Sequence, residues 1–386
     1  MTTTSPAPTL LTEDLLARVH ARAGDYDREN RFFHEDLDDL RDAGHLRAPV
    51  PAELGGGDLT LDQVAHAQRR LAYYAPSTAL ATTMHLYWVG SAADRHRAGD
   101  TSLDWLLDDV VAGKVIAAGH GEPGNDTAID DARTTATPVD GGYRITGHKI
   151  FTSLAPVWDW LGVHARDDSD PDRPRIVHAF VARDAAGVRT EETWDTLGVR
   201  ATASHDTHLT DVFVPTERVV DVHDLGAGPG PYVAGVFPWV LPLLGNVYYG
   251  AGRRAVDVAL EQARSRTALS LGGAPVAEKP FVQYHAAEAE LLLEGVGAQL
   301  DRLTADLTAG VDLGDRTLLK LFAAKENGTR VARSVTDLAL EIAGASSISR
   351  RNELERLYRD VRAGSFHPPN SDTVRDLIGK TVLGLV

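Results

Sequence analysis

The sequence predicts an α+β fold in three consecutive parts: an N-terminal all-α domain at 1–114, a middle β-barrel-like domain at 115–226 and a C-terminal four-helix bundle at 227–386. Two observations predict this order. Apolar residues recur at helical spacing in the first and last thirds of the chain. The middle third is instead rich in short alternating or β-branched runs bounded by Gly, Asp and Pro. Each part has the usual length of a domain.

The N-terminal part shows both helical periodicity and a start signal. Leu11, Leu15 and Val19 follow one another at helical spacing. Thr60 and Gln63 have the spacing of a capping box, in which each side chain bonds a free backbone N–H at the start of a helix. These patterns predict at least two helices before residue 75.

The middle part shows strand and turn signals. Asp140-Gly141-Gly142 is typical of a tight hairpin turn, and it leads into a predicted strand at 143–153. The runs 176–182 and 207–214 predict further strands, and Pro215 is expected to end the last one.

The C-terminal part returns to helical spacing. A buried helix is predicted within 235–250, with Pro238 and Pro242 marking its start. Two longer helices follow from apolar residues stepping by three and four, and such helices with short connections indicate an antiparallel bundle. The repeating residues are Leu292, Val296, Leu300, Leu303 and Leu307, then Val331, Val335, Leu338 and Ile342.

Composition excludes several classes of function. The net charge of −16, from 39 Lys and Arg against 55 Asp and Glu, disfavours nucleic acid as a partner because phosphate backbones are repelled. The absence of cysteine excludes disulfides, thiolate nucleophiles and iron–sulfur clusters. The segment 1–9 lacks the order of a signal peptide, and the most apolar stretch, 235–250, is too interrupted to span a membrane. A cytoplasmic protein is therefore predicted.

Four strings in the same order resemble the acyl-CoA dehydrogenase superfamily. They are LRAPVPAELGGGDLTLDQV at 46–64, GEPGNDTAIDDARTTATPVDGGYRITGHKIFTS at 121–153, LGVRATASHDTHLTDVFVP at 197–215 and RLYRDVRAGSFHPPNSD at 356–372. The resemblance covers nearly the whole chain and agrees with the helix, strand, helix order. It implies a flavin cofactor, usually FAD, a homodimer or homotetramer, and an acyl thioester or related small substrate. A flavin reductase or another electron-transfer protein would be the redox partner.

The resemblance assigns several residues to the flavin ring. Phe151 stands where the family packs an aromatic side chain on the ring, and Ser153 stands where a hydroxyl bonds its reactive edge. His120 and Gly121 would line the same edge. Such a ring needs an apolar platform and hydrogen-bond donors that stabilise its reduced form. Alternation on an ordinary strand would equally explain Phe151 and Ser153 without the surrounding string.

Five further residues match positions that hold the dinucleotide. Arg266, or else the nearby Arg264, resembles an arginine that reaches the diphosphate across a dimer interface, and a guanidinium fits a diphosphate through its fixed donors. Gln283 and Asp372 match two further cofactor contacts, and Gly344 matches a turn that lets the backbone approach the cofactor closely. Glu341 stands where the family commonly has glutamine, and its negative charge keeps FMN open as the cofactor.

The chain departs from the family at the catalytic base. Dehydrogenases of the family use a glutamate to remove the α-proton of the substrate, but Pro368 occupies that position here. A second position used by some members falls near Trp239 and Val240. None of these residues can act as a base, so ordinary dehydrogenation lacks its proton acceptor. Gly121 also replaces a threonine that contacts the flavin.

His367 and His85 are the candidate catalytic residues that remain. An imidazole can take or give a proton near neutral pH. A histidine followed by a proline at this point resembles the flavin-dependent monooxygenases of the superfamily, which use reduced flavin from a separate reductase together with oxygen. His85 would add a second polar contact. The alternative is that His367 only orders its loop.

Three functions remain open. The first is an acyl-CoA dehydrogenase-type oxidation with an unidentified base. The second is a two-component flavin-dependent monooxygenase. The third is a flavin- or acyl-binding subunit without turnover. No metal site is predicted, because His205, Asp206 and His208 have no third ligand cluster beside them.

Overall fold

In the computed structural model, residues 10–127, 130–227 and 230–385 are described, and the prediction for residues 1–9 lies outside them. Helices occupy both ends of the chain and strands occupy its middle, which confirms the predicted α+β class. The boundaries predicted at 114/115 and 226/227 lie where the element type changes. The division into separately folding domains stays a prediction.

The N-terminal part consists of helices that begin at side-chain caps or at proline. Thr12 accepts a hydrogen bond from the Leu15 N–H, and Thr60 and Gln63 form the predicted capping box with both bonds present. The fourth helix begins at Pro76 and is buried on all sides along most of its length. The helices are α1 (Glu13–Glu29), α2 (His34–Asp42), α3 (Leu61–Tyr74), α4 (Pro76–Arg97) and α5 (Asp104–Val111).

The middle part is one twisted sheet with mixed strand directions. Its order is β6-β7-β3-β2-β4-β5-β8, and β1 pairs with β4 in parallel. The hairpin predicted at Asp140-Gly141 joins β2 and β3, with Val139 opposite Gly142. The strands are β1 (Ile116–Gly119), β2 (Thr135–Val139), β3 (Gly142–Thr152), β4 (Trp160–Asp167), β5 (Arg175–Ala182), β6 (Val188–Glu191), β7 (His205–Pro215) and β8 (Val219–Asp224).

The sheet separates two apolar cores because side chains alternate across it. Leu161 and Val163 of β4 belong to the core enclosed by the sheet. Gly162 lies between them in sequence and faces the other way, where a Cβ atom would lie 2.7 Å from Trp88 of α4. The strand therefore joins the sheet to the N-terminal helices through its outer face.

The C-terminal part is built on three long helices with two shorter ones. They are α6 (Pro231–Ser265), α7 (Pro280–Thr308), α8 (Thr317–Ala343), α9 (Glu353–Asp360) and α10 (Ser371–Val382). Leu293, Leu300 and Leu321 lie in their shared core. This arrangement confirms the predicted bundle.

The predicted start of α6 is wrong. The helix begins at Pro231, so Pro238 and Pro242 lie inside it. Proline inside a helix lacks the N–H that would bond the carbonyl four residues earlier. The carbonyls of Ala234 and Pro238 therefore lose their usual helical donors. The Asn246 side chain adds a bond in the next turn, where its Nδ2 donates to the Pro242 carbonyl at 2.9 Å. Throughout the described ranges, no helix combines the length and apolar character needed to cross a bilayer.

Candidate active site

Residues with a left-handed backbone gather at the end of β3 and in the loop before β7. Phe151 and Leu154 have φ angles of 59° and 66°. Val199 and Ala203 have φ angles of 49° and 42°. A positive φ is unfavourable for residues with a side chain, above all for β-branched valine, and such strain is often found at functional sites. The two segments contact each other, since the Leu154 N–H donates to the Thr202 carbonyl at 3.1 Å.

Hydroxyl groups line this junction beside an exposed aromatic ring. Ser153 Oγ lies 2.8 Å from Ser204 Oγ, which lies 2.7 Å from Thr202 Oγ1. Phe151 is 63% exposed, and its ring centroid lies 6.1 Å from that of Trp194. A planar ring system could cover the exposed phenyl ring while the hydroxyls bond its polar edge. The junction thus fits a flavin ring at Phe151 and Ser153.

His120 and Gly121 lie at the same edge of the sheet. Gly121 pairs with Ile150, and a Cβ atom on Gly121 would lie 2.7 Å from the Ile150 carbonyl oxygen and 3.4 Å from Phe151. Only glycine permits this approach. Burial, together with the charge of Lys149, lowers the pKa of His120 to about 3, so this imidazole is neutral.

A buried ion pair holds the segment that follows Gly121. Lys149 Nζ lies 2.7 Å from Glu122 Oε1 and also donates to the His164 carbonyl at 2.7 Å. Glu122 accepts backbone N–H bonds from Arg133 and Thr134 at 2.7 and 2.9 Å. Burial disfavours the ionised carboxylate, but the Lys149 charge and these bonds outweigh burial and lower the pKa of Glu122 to about 2.

His367 is paired with a tyrosine of α6. His367 Nε2 and Tyr248 Oη lie 2.6 Å apart. Burial, with the nearby Lys325 charge, lowers the pKa of His367 to about 3, and burial raises the pKa of Tyr248. Both groups are therefore neutral near pH 7. A neutral imidazole has one N–H and one lone pair, so the pair can pass a proton without a resting charge.

Lys325 holds the loop that carries His367. Its Nζ donates to the carbonyl oxygens of His367 and Pro369 at 3.0 and 2.9 Å. The side chain is fully buried, and burial lowers its pKa to about 8. The lysine orients the loop from beneath.

Asp360 joins this loop to the strained junction. Its Oδ1 accepts the Val199 N–H at 2.6 Å, and burial raises the pKa of Asp360 to about 6. The charge of Asp360 also contributes to the raised pKa of Tyr248. Asp360 thus connects α9, just before the His367 loop, to Val199 next to the hydroxyl cluster.

His85 has a different environment from His367. The Ile116 N–H donates to its Nδ1 at 3.0 Å, so Nε2 carries the proton and donates to the Leu46 carbonyl at 2.9 Å. The side chain is fully buried, and burial lowers its pKa to about 4. Because both ring nitrogens bond backbone groups, His85 has no free atom for a substrate, and it joins α4 to β1 instead.

Four of the predicted dinucleotide contacts meet at one end of the bundle. Arg266 Nη1 donates to the Ala343 carbonyl, and its guanidinium lies beside Gly344, whose φ is 71°. Gln283 bonds the Ala277 carbonyl at 3.2 Å. Glu341 lies 3.2 Å from His285. Arg266, Gln283 and Glu341 are all exposed there.

Asp372 lies apart from that group. It is at the start of α10, with its side chain 98% exposed, and its neighbour Ser371 bonds Glu326 of α8 at 2.8 Å. Gly344 follows the other end of α8, about 27 Å along the helix from Glu326. One chain therefore does not bring Asp372 and Arg266 together.

The histidines considered as metal ligands have other partners. His205 Nδ1 accepts backbone N–H groups of Thr193 and Trp194 at 3.1 and 3.0 Å. His208 lies 2.9 Å from Glu191. Across the described ranges, no group of three or more His, Cys, Asp or Glu side chains has the arrangement of a metal site.

Comparison with known proteins identifies relatives over nearly the whole length. Two family models match: "Acyl-CoA dehydrogenase, middle domain" over 117–212 and "Acyl-CoA dehydrogenase, C-terminal domain" over 243–371. YdbM of Bacillus subtilis (strain 168), assigned to the acyl-CoA dehydrogenases, is 33% identical over 91% of this chain and 90% of its own. The amino sugar nitrososynthase DnmZ of Streptomyces peucetius is 31% identical over 97% of this chain and 92% of its own.

A solved structure is also similar to this chain over nearly its whole length. KijD3, determined with FMN and dTDP-3-amino-2,3,6-trideoxy-4-keto-3-methyl-D-glucose, superposes with a TM-score of 0.87 at 28% identity. The alignment covers 99% of this chain and 95% of that one. The two proteins therefore share the overall fold over nearly their whole lengths.

Proposed function

The chain belongs to the acyl-CoA dehydrogenase superfamily of flavin-dependent oxidoreductases, and within it we propose that this protein is an oxygen-using monooxygenase. The observation that carries this proposal is the neutral His367–Tyr248 pair, with Pro368 where the family's dehydrogenases have their glutamate. A dehydrogenase needs a base beside the substrate α-carbon. A monooxygenase instead needs a group that moves protons without holding a charge, which this pair provides.

The residues at the strained junction would hold the flavin. Phe151 would pack against the flavin ring, and Ser153 would donate a hydrogen bond to it. His120 and Gly121 would lie along one edge of that ring. A reduced flavin supplies the electrons that activate oxygen. FMN is the better match than FAD, because the Glu341 carboxylate would repel a diphosphate and because the similar KijD3 binds FMN.

The substrate in this proposal is a small organic molecule with an oxidisable amino nitrogen. The relatives support this class, since DnmZ is an amino sugar nitrososynthase and KijD3 binds an amino sugar nucleotide. A separate reductase would supply the reduced flavin. His367 would touch the substrate or cofactor, whereas Lys325 and Asp360 act through the loops that they hold.

A homodimer or homotetramer is part of the same proposal. Lys325, which bonds the His367 loop, and Gly344, which lies beside Arg266, are about 28 Å apart along α8. A flavin at the junction of one chain could therefore meet the Arg266 group only from a second copy. Exposed apolar side chains surround that end of the bundle, which supports contact there: Leu269, Phe281, Tyr284, Leu291 and Ile348. A cytoplasmic location stays a prediction of the sequence.

One experiment separates the two oxidations. The FMN-loaded protein is mixed anaerobically with a series of acyl-CoA thioesters while the visible absorbance of oxidised flavin is followed. A second sample is reduced and mixed with oxygen in a stopped-flow instrument. We expect no bleaching by the thioesters, and a species spectrally distinct from reduced and oxidised flavin after oxygen is added. Bleaching by a thioester would instead support the dehydrogenase.

Two variants connect this result to the site. His367→Ala and Tyr248→Phe should retain flavin, because neither side chain belongs to the Phe151–Ser153 junction, but His367→Ala should abolish product formation. Full turnover in His367→Ala would remove the histidine from the chemistry. Failure of the wild-type protein to bind FMN or FAD would contradict both oxidations and favour the subunit without turnover.

A further inference from the structure

Four histidines form a row across the outer face of the sheet. The row consists of His120, which directly follows β1, and His164, His178 and His223 on β4, β5 and β8. His164 and His178 stand opposite each other in the β4–β5 register. Successive ring centroids are 5.4, 6.0 and 5.5 Å apart. The row begins beside Gly121 at the proposed flavin edge and ends at the partly exposed His223.

Two aromatic side chains from different helices cover the row. Trp88 of α4 lies 5.6 Å from the His120 ring and 5.6 Å from the Tyr232 ring of α6. Tyr232 lies 6.3 Å from His178. Together with His164 these rings form a closed circle, and Trp88 and Tyr232 are only 3% and 2% exposed. These rings and the histidines beneath them are therefore shielded from bulk solvent.

Several polar atoms of this circle are unpaired, although His164 Nε2 lies 3.1 Å from the Asp131 carbonyl oxygen. Within the part of the chain that the structure describes, His164 Nδ1, both nitrogens of His178, Trp88 Nε1 and Tyr232 Oη have no hydrogen-bond partner. His164 and His178 are 0% and 1% exposed. Folded proteins leave very few buried polar atoms unpaired, and a group of them in one place marks a site for water or another polar occupant.

Two buried polar atoms at the outer end of the row are also unpaired. His223 Nδ1 and Asp221 Oδ2 are 3.5 Å apart, and neither atom has a hydrogen bond to any residue within the described ranges. Asp221 stands opposite His178 in the β5–β8 register. The unpaired atoms thus continue from the circle to the surface.

Burial, together with a nearby positive charge, keeps the inner histidines of the row neutral. Burial, followed by the positive charge of Lys149, holds the pKa of His164 well below its usual value. Burial also holds the pKa of His178 low. Glu122 pairs with Lys149, Arg95 lies over the Tyr232 ring, and Asp130 lies near His223. A neutral imidazole can accept a proton on one nitrogen and release one from the other.

The rings cannot pass a proton directly. The planes of His164 and His178 are 24° from parallel, and those of His178 and His223 are 18° from parallel. Hydrogen bonds lie in the ring plane, so the nitrogens of stacked imidazoles do not point at one another. A bridging water molecule between neighbouring rings would satisfy both sets of unpaired atoms.

We propose that ordered water molecules within the circle link the histidine row into a proton path from Asp221 and His223 at the surface to His120 at the flavin edge. This inference rests on the proposed function, because reduction of oxygen at a flavin consumes protons. One proton enters at the outer end for each proton released at His120. The path itself gains and loses no electrons.

The first test concerns the water molecules and needs no activity. A high-resolution crystal structure of the protein should contain water within hydrogen-bonding distance of the His178 nitrogens and of Tyr232 Oη. The melting temperature of His178→Phe should fall, because the phenyl ring cannot bond that water. Dry contact between the rings, or a higher melting temperature in His178→Phe, would overturn the proposal.

The second test concerns proton delivery. His178→Phe should slow the reaction of reduced, flavin-loaded protein with oxygen at least about tenfold and raise its solvent deuterium isotope effect. Tyr232→Phe removes one oxygen atom and should slow the reaction severalfold. This smaller change provides a second test if His178→Phe folds poorly. His208→Phe, in the stacked His148–His208 pair outside the row, is the matched control and should match wild type.

The two proposals fail in different ways. If wild-type protein binds flavin and reacts with oxygen, and both row variants react at the same rate with the same isotope effect, the proton path is wrong and the monooxygenase stands. If wild-type protein binds no flavin, the proposed function is wrong. Water found at His178 in the crystal would then not connect to a flavin, and the proton path would be wrong as well.

Discussion

Hydrogen bonding distinguishes the two histidines that the sequence offered as catalytic. His367 has one ring nitrogen bonded to Tyr248, which leaves the other for a ligand. His85 has both ring nitrogens bonded to backbone groups of different elements. An imidazole whose donor and acceptor are both engaged acts as a structural link. We therefore keep His367 in the proposed mechanism and assign His85 to stability.

The role of His85 can be tested by substitution. His85→Gln retains a donor near Nε2 but loses the acceptor of the Ile116 N–H. Leaving a buried N–H unpaired costs about 1–3 kcal/mol, and the free energy of unfolding should fall by that amount. Urea denaturation followed by circular dichroism measures this, and FMN affinity should not change. Unchanged stability together with lost turnover would restore His85 as a catalytic candidate.

The candidate site could be predicted only where its residues are carried by a local string. Phe151 and Ser153 lie within one string of the sequence, so their proximity is fixed by the chain itself. Tyr248 and His367 are 119 positions apart, and Lys325 lies 42 positions from His367. No local pattern connects such residues. Their contact depends on how α6 and α8 pack, which spacing alone does not determine.

At the scale of elements, the two helices that contact the site were the least predictable. α4 is buried around its whole circumference, so small and apolar residues cover every face and no amphipathic period remains. α6 continues through two prolines that normally indicate a helix start. The hairpin at Asp140 and the capping box at Thr60 were predicted because their signals are local.

A buried amide connects α6 to the N-terminal part. Asn246 Oδ1 accepts from Arg69 Nε at 2.8 Å, and Arg69 also bonds Asp301 of α7 at 2.5 Å. The same amide donates to the Pro242 carbonyl, which lies next to the proline interruption. This side chain therefore stabilises the packing of α3 on α6.

Removing the Asn246 amide should weaken the packing of α3 on α6. Asn246→Ala leaves the partly buried Arg69 Nε without its acceptor, so we expect a loss of about 1–3 kcal/mol in the free energy of unfolding. Chemical denaturation measures the loss. Lys380→Ala, which removes an exposed ion pair with Asp376, is the control and should change little. An equal change in the free energy of unfolding in the two variants would show that the Asn246 amide does not stabilise the packing of α3 on α6.

At the scale of the whole molecule, buried histidines make stability depend on pH. Burial lowers the pKa of His45 and His85 to about 4 and the pKa of His120 and His367 to about 3. The unfolded chain binds protons near the ordinary histidine pKa of about 6.5. Below that pH the unfolded state holds more protons than the folded state, so stability falls as the pH falls.

Two buried carboxyl groups oppose this trend over part of the range. Burial raises the pKa of Asp36 and of Asp360 to about 6. Between about 6 and the ordinary value near 3.9, the folded state holds the extra proton at these groups, which adds stability as the pH falls. The histidines outnumber these two carboxyl groups, and their effect begins at a higher pH. The sum is a net loss of stability below about pH 6.5.

The stability of the protein should therefore fall steadily as the pH is lowered from about 6.5 towards 5. Each buried histidine should contribute about 1.4 kcal/mol of loss for every pH unit below 6.5. Urea denaturation at a series of pH values measures the free energy of unfolding directly. His45→Leu removes one such histidine, which bonds Gln68 at 3.0 Å. The stability of this variant should decline less steeply with falling pH than that of wild type, even though the variant is less stable at pH 7.

A stability that stays constant or rises between pH 6.5 and 5 would mean that these histidines are protonated in the folded protein. Their neutral state, on which both the His367–Tyr248 pair and the proton path depend, would then be wrong.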